Sequence, residues 1–200
     1  MLLCDRCKYD ISSEASLLCI ACGINLCDVG VCKDCDVAYS RAWCIGERSG
    51  ALQRLIGNFK FQNMHAAHQP LASLLIDSID QLPKDTIVVP IPTVASHIRE
   101  RGYDHTLLLS RQVANHHGVQ LRQVLSRATT TQQRGASRAG RITQAKEAFV
   151  VRTHVDSSAP HLLIDDVVTT GATIKYAAES LRQAGVTQIW VAVIARQPLD

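Results

Sequence analysis

From about residue 41 onward, apolar residues recur at two alternating spacings. Arg41 to Glu47 reads as a strand, and between Gly50 and Phe61 the residues Leu52, Leu55, Ile56 and Phe59 return at the interval of one helix face. Leu71, Leu74, Leu75 and Ile79 predict a second helix over residues 70–80, and Leu107, Leu108, Arg111 and Ala114 a third from Asp104 to His117. Between them, Thr86-Ile87-Val88-Val89-Pro90-Ile91-Pro92 is an apolar run ending in prolines, which cannot donate to a ladder and so mark a strand's exit into a loop. His161-Leu162-Leu163-Ile164 is a second such run, and beyond Gly171 the residues Ile174, Ala177, Ala178 and Leu181 return to helical spacing. Strands without polar alternation are covered on both faces, so this order predicts an α/β domain whose mainly parallel sheet is flanked by helices. Such sheets bind ligands beyond the carboxyl ends of their strands, which singles out the loops after Pro90 and Ile164.

The second loop carries the densest chemistry. Asp165, Asp166, Val167, Val168, Thr169, Thr170, Gly171, Ala172 and Thr173 place two carboxylates and a hydroxyl-rich glycine turn just ahead of a helix. A helix N-terminus has unpaired N–H groups and a positive dipole end, which suit a phosphate, and the threonines add hydroxyl donors. Paired carboxylates repel a phosphate but accept hydrogen bonds from the two hydroxyls of a ribose. A ribose 5-phosphate satisfies both halves. A plain threonine cap explains one hydroxyl and leaves the acids and the other threonines without a reason.

Composition narrows the class. With 200 residues, 46% hydrophobic and 20% charged, the chain has room for one α/β domain and a small appendage. No apolar run approaches the roughly 18 residues that span a bilayer. The N-terminus, with Cys4, Asp5 and Cys7 in quick succession, is unlike a signal peptide, so a soluble cytoplasmic protein without membrane insertion is expected.

All eight cysteines lie between Cys4 and Cys44, which predicts a cysteine-rich module over residues 1–38 and an α/β domain over 39–200. Six of them form Cys-x-x-Cys pairs, whose spacing lets a tight knuckle aim two thiolates at one Zn²⁺. Cys4 and Cys7 with Cys19 and Cys22 have ribbon-like spacing and are the first expectation for a structural zinc site. Cys32 and Cys35 either build a second site with Cys27 or replace one of the first pairs, and spacing does not decide. A disulfide framework belongs to oxidising compartments. Cys44, in the strand from Arg41, reads as a core residue.

Charge is uneven. Residues 95–152 hold ten Lys and Arg against three acids, a net charge of +7, so an anionic ligand or partner is expected there. Within that segment, residues 128–144 are polar and basic and almost without large apolar residues, the pattern of a functional lid or of a disordered surface loop. Its only aromatic residues are Tyr103 and Phe149, so no stacking platform for single strands is evident. His65 and His68 read as surface residues, and His116-His117 as favourable charge closing a helix before Gly118.

The segment from Leu162 to Thr173 resembles the phosphoribosyl pyrophosphate (PRPP) motif of type I phosphoribosyltransferases. Together with the Cys-x-x-Cys module, Val89-Pro90-Ile91-Pro92 and Arg99-Glu100-Arg101-Gly102-Tyr103, it makes the chain resemble the ComF family of bacteria over nearly its whole length. That resemblance implies a type I phosphoribosyltransferase-like fold with a small N-terminal zinc ribbon, and a link to natural competence, the uptake of DNA as a single strand. It implies that Asp165 and Asp166 bind the ribose hydroxyls as the essential catalytic pair, and that Thr169 to Thr173 hold the 5-phosphate. It further implies that the loop from Ile91 to Arg101 holds pyrophosphate, with Pro90 and Pro92 framing it, Arg99 or Arg101 adding charge and Mg²⁺ bridging the substrate's oxygens. Thr130, Gln133, Arg141 and Phe149 match the family, Arg138 lies in the same basic loop, and Gln144 stands where Asn is usual. Tyr103-Asp104-His105 replaces the usual Phe-Asn-Gln, and Ser96-His97 stands where an arginine often follows the loop.

The implied reaction is attack of an acceptor on C1 of PRPP as pyrophosphate leaves. A rival reading is a non-catalytic PRPP- or nucleotide-binding adaptor that meets single-stranded DNA, through Arg134, Arg138 and Arg141, or a competence helicase.

Overall fold

The computed structural model describes residues 4–13, 18–26, 31–61, 67–128 and 149–198. Its elements run α1 (Asp5–Ser13), β1 (Arg41–Glu47), α2 (Gly50–Phe61), α3 (His68–Ser78), β2 (Ile87–Pro90), α4 (Ala95–Arg101), α5 (His105–His117), β3 (Gln120–Leu121), β4 (Leu125–Arg127), β5 (Phe149–Val151), β6 (His161–Val168), α6 (Ala172–Gln183) and β7 (Ile189–Arg196). Five strands form one parallel sheet in the order β1-β7-β6-β2-β3, and β4 pairs antiparallel with β5 beside it. The expected α/β class with a mainly parallel sheet is therefore the observed one.

Successive strand residues feed opposite faces, and both are apolar. Val88, Leu162, Ile164, Ala192 and Ile194 pack with Leu55, Phe59, Leu71, Leu75 and Leu109 from α2, α3 and α5. Val89, Leu163, Val191 and Val193 pack with Ile174, Ala177, Ala178 and Leu181 of α6. Burying these side chains is the main term holding the layers together, at about 1.5–3 kcal/mol for each large one.

Three features add to the expected elements. β6 does not stop at Ile164: Asp165 and Val167 stay paired with Val193 and Ala195 of β7, so both acids belong to the strand. β7 stands between β1 and β6 and is buried along its whole length. α4 buries no residue, so no apolar period announces it.

Candidate functional site

The carboxyl ends of β2 and β6 open into a cleft of about 220 Å³. Asp165, Asp166 and Val167 line it from β6, Thr173 from the first turn of α6, and Ile91 to Val94 from the loop that leaves β2. Lys60, Arg101, His105, Thr106, Arg127 and the exposed His97 complete the wall. Gly171 makes the turn between β6 and α6 with φ +75°, where a side chain is strained, although no atom nearer than 4.0 Å crowds its Cβ position. The exposed Thr169 and Thr170 lead into it.

The two acids have unlike surroundings. Asp165 is half-buried, and its Oδ1 accepts from the Asp166 N–H at 2.9 Å. Burial, and then the charge of Asp166, push the Asp165 carboxyl up to about 7. Asp166 is buried; its Oδ1 accepts from the Val167 N–H at 2.5 Å, and its Oδ2 meets Lys60 Nζ and His105 Nε2, each at 2.7 Å. Burial opposes its ionisation, but the His105 and Lys60 contacts outweigh burial and hold the carboxyl well below its ordinary range.

Arg101 Nη1 lies 3.1 Å from His105 Nδ1. A guanidinium only donates, so His105 Nδ1 accepts from it, while Nε2 is the ring nitrogen that faces Asp166. The ring is also set by the edge of Phe59, and Phe59 stacks on Tyr103, whose hydroxyl donates to the Phe59 carbonyl.

Arg127 is a third cation at the cleft. Its Nε donates to the Pro92 carbonyl at 2.8 Å, and its guanidinium lies 5.0 Å from the centre of the Phe149 ring. Burial lowers its pKa, and Asp165 partly offsets that.

Apart from the cleft, the thiols of Cys19, Cys22, Cys32 and Cys35 lie within 4.8 Å of one another. This quartet keeps Cys19 and Cys22 from the first expectation and has Cys32 and Cys35 in place of Cys4 and Cys7, the replacement that spacing left open. Cys4 stands just ahead of α1, its sulfur accepts from the Cys7 N–H at 3.4 Å, and neither thiol belongs to the quartet. Around Cys19, by contrast, the Gly23 N–H donates to the Cys19 carbonyl at 2.7 Å with Gly23 at φ +78°, and the chain turns back on itself. Burial works against the Cys19 thiolate, yet backbone groups of Cys32, Cys22 and Ala21 bring its pKa down to about 6. Cys27 lies outside the described residues.

The quartet is tied to the sheet. Arg196, 2% exposed at the end of β7, donates from Nε to the Ile20 carbonyl, and its guanidinium would lie 2.7 Å from a Cβ at Gly23. Arg182 of α6 donates to the Ala38 carbonyl at 2.8 Å.

No family model matches the chain. Among curated proteins it is 31% identical to competence protein F of Haemophilus influenzae, over 97% of this chain and 90% of that protein. The chain belongs to the competence protein F (ComF) family. Other relatives include the DNA utilization protein YhgH of Salmonella typhi, 27% identical over 94% of this chain and 88% of that one, and competence protein ComFC of Bacillus subtilis, 23% identical over 92% and 79%. Among solved structures, the allosteric regulatory enzyme of purine biosynthesis aligns with TM-score 0.48 and 18% identity over 64% of this chain and 25% of that chain. Adenine phosphoribosyltransferase from Trypanosoma brucei, in complex with AMP, pyrophosphate and ribose-5-phosphate, aligns with TM-score 0.44 and 15% identity over 95% and 67%. Likeness at that level carries no weight for function.

Within this ComF-family chain, the residues expected to act are only partly gathered. Asp165, Asp166, Val167, Thr173, Ile91, Pro92 and Arg101 line the cleft, whereas the exposed Arg99, the buried Pro90 and Val168, Thr169, Thr170, Gly171 and Ala172 are not among its lining residues. Thr130, Gln133, Arg138 and Arg141 lie outside the described residues. Asp104, where the family usually has Asn, is the N-cap of α5: its Oδ1 accepts from the Leu107 N–H at 3.1 Å and from Thr93 Oγ1 at 2.9 Å. Lys60, His105 and Arg127 are the site residues that sequence reasoning passed over. They come from elements distant in sequence, and no local spacing connects them to the acids.

No helix among the described residues is long and apolar enough to cross a membrane.

Proposed function

We propose that this ComF-family protein is a PRPP-binding phosphoribosyltransferase that works in DNA uptake, the process for which its competence-protein relatives are named. One observation carries the reading. β6 delivers a half-buried carboxylate and then a threonine-glycine turn at a helix N-terminus, across a cleft of about 220 Å³ from the Ile91–Val94 loop and from Lys60, Arg101 and Arg127.

In this reading Asp165 and Asp166 accept from the ribose hydroxyls, while the N–H groups and hydroxyls of Thr169 to Thr173 hold the 5-phosphate. The Ile91–Val94 backbone and Arg101 bind the leaving pyrophosphate. Fixing the sugar and stabilising the leaving group supply most of the rate, because the transition state has oxocarbenium character. Hard oxygens of the substrate and of Asp165 suit Mg²⁺, which when bound neutralises charge on the departing phosphates. Cys19, Cys22, Cys32 and Cys35 offer four thiolates to one Zn²⁺ and close its coordination sphere, a structural role for a module that we delimit at residues 1–38, ahead of the transferase domain at 39–200. We place the protein in the cytoplasm.

Calorimetric titration of PRPP with and without Mg²⁺ tests the reading. Wild type should bind in a Mg²⁺-dependent manner, and Asp165→Asn should weaken that binding by at least about tenfold, as expected for losing charge-assisted hydrogen bonds. Uptake of PRPP followed by acceptor-dependent pyrophosphate release identifies the enzyme. Folded, zinc-replete protein that takes up no PRPP moves the reading to the non-catalytic adaptor, which is then assayed for salt-dependent binding of single-stranded DNA.

A further inference from the structure

Asp166 is the acid whose oxygens already have neighbours. Its Oδ1 accepts from the Val167 N–H at 2.5 Å, and its Oδ2 lies 2.7 Å from Lys60 Nζ and from His105 Nε2. Of these three partners, the Val167 N–H belongs to the backbone of β6, and His105 is 6% exposed and held between Arg101 and Phe59. Lys60 alone sits on a flexible stem, in the last turn of α2, with its side chain 17% exposed at the cleft.

We propose that Lys60 is the resident counter-ion of Asp166, that a ribose diol displaces it, and that the freed ammonium then binds the pyrophosphate of the incoming sugar. The inference rests on the reading of the site as a PRPP cleft and assigns a residue that discriminates between sugar phosphates. Ribose hydroxyls are neutral donors, so when they take Lys60's place on Asp166 the ammonium loses the carboxylate it contacts at 2.7 Å and is left with the more distant Asp165. It remains in a cleft walled by Pro92, Thr93, Val94 and Arg101, where a half-dry ammonium gains most from another anion. A sugar carrying pyrophosphate at C1 supplies that anion. Ribose 5-phosphate does not, because its single phosphate belongs at the Thr169–Thr173 turn. Lys60 thereby favours the activated donor over the monophosphate without adding affinity for the ribose itself.

The test is the ratio of two affinities in one variant. With Mg²⁺ present, PRPP and ribose 5-phosphate are titrated into wild type, K60M and K60R, each first shown to be folded by its melting curve; K60Q replaces K60M if the latter does not fold. K60M should weaken PRPP by about tenfold or more, the worth of a charge-assisted hydrogen bond, while ribose 5-phosphate stays within about twofold or binds more tightly. K60R, which keeps the charge, should recover most of the PRPP affinity. Equal loss of both ligands makes Lys60 a mere prop for Asp166 and overturns the proposal, as does no change in either. Wild type that binds neither sugar phosphate overturns the reading of the cleft itself, and the inference with it, an outcome distinct from wild type binding both and K60M losing both alike.

Discussion

The aspartate pair and the cysteine quartet pose one electrostatic problem and meet it differently. Each packs groups that become anionic against one another: Asp165 beside Asp166, and Cys32 Sγ 3.4 Å from Cys22 and 3.2 Å from Cys35. At the acids the chain supplies the compensating charge itself, through Lys60, with His105 Nε2 at the same 2.7 Å from Asp166. At the quartet the partners of the thiols among the described residues are other thiols and the backbone, so several thiolates need a cation from outside. A site with its own cation stays closed until a ligand displaces that cation. A site without one assembles around a metal.

Removing the zinc proposed for the quartet is therefore the harshest way to break this contrast. Structural zinc sites are worth about 10–16 kcal/mol of apparent binding energy, and that energy is largely folding energy. Chelation should lower the melting temperature by about 10 °C or more, and the loss should spread to β7 because Arg196 joins the Ile20 knuckle to it. Metal analysis should give one zinc per chain in wild type and in C4S/C7S, and none in C32S/C35S. Equal loss in both variants would return Cys4 and Cys7 to the ligand set.

Asp166→Asn comes next in size. It leaves the buried ends of Lys60 and His105 facing a neutral amide, and breaking a buried pair by removing one partner costs about 3–5 kcal/mol. Urea unfolding should show that loss at pH 7.5. A shift below about 1 kcal/mol would mean that the pair is solvent-screened and would weaken the contrast.

The contrast also separates what the sequence reveals from what it conceals. Asp165, Asp166, Thr169, Thr170, Gly171 and Thr173 are neighbours in the chain, so a strand, a turn and a helix start bring them together with no help from the rest of the fold, and their chemistry could be read directly. Both faces of the sheet were legible for the same reason: runs such as Leu162-Leu163-Ile164 are apolar at every position. Lys60 and His105 reach Asp166 only because α2 and α5 pack on one side of β6, an arrangement invisible to spacing. The quartet was half legible. Three Cys-x-x-Cys pairs look alike as text, and the choice is made by the backbone, which puts Gly23 at φ +78° against Arg196 while α1 takes in Cys7. β4 and β5, three residues each, are too short for any period to declare them.

The gentlest probe is the pH dependence that Asp165 imposes. Its carboxyl has an ordinary value of 3.8 when unfolded and about 7 in the folded, ligand-free protein, raised by burial and by the charge of Asp166. Between those values the folded state holds a proton that the unfolded state has released, so this group makes stability fall as pH rises from about 4 to about 7, the opposite of a salt-bridged acid. Asp166, depressed by His105 and Lys60, contributes with the other sign: its stabilisation is complete above the unfolded value and is lost as pH falls through its low folded value. Across pH 4–7 the two are therefore separable. Asp165→Asn, which cannot ionise, should gain on the order of 2 kcal/mol over wild type at pH 8, about half of what the full shift is worth because solvent screens the partly buried carboxyl, with the gap closing toward pH 4. Denaturant melts of the two proteins at four pH values measure it. A constant gap would show that Asp165 is already ionised in the empty cleft, and would leave the two carboxylates alike where the structure makes them different.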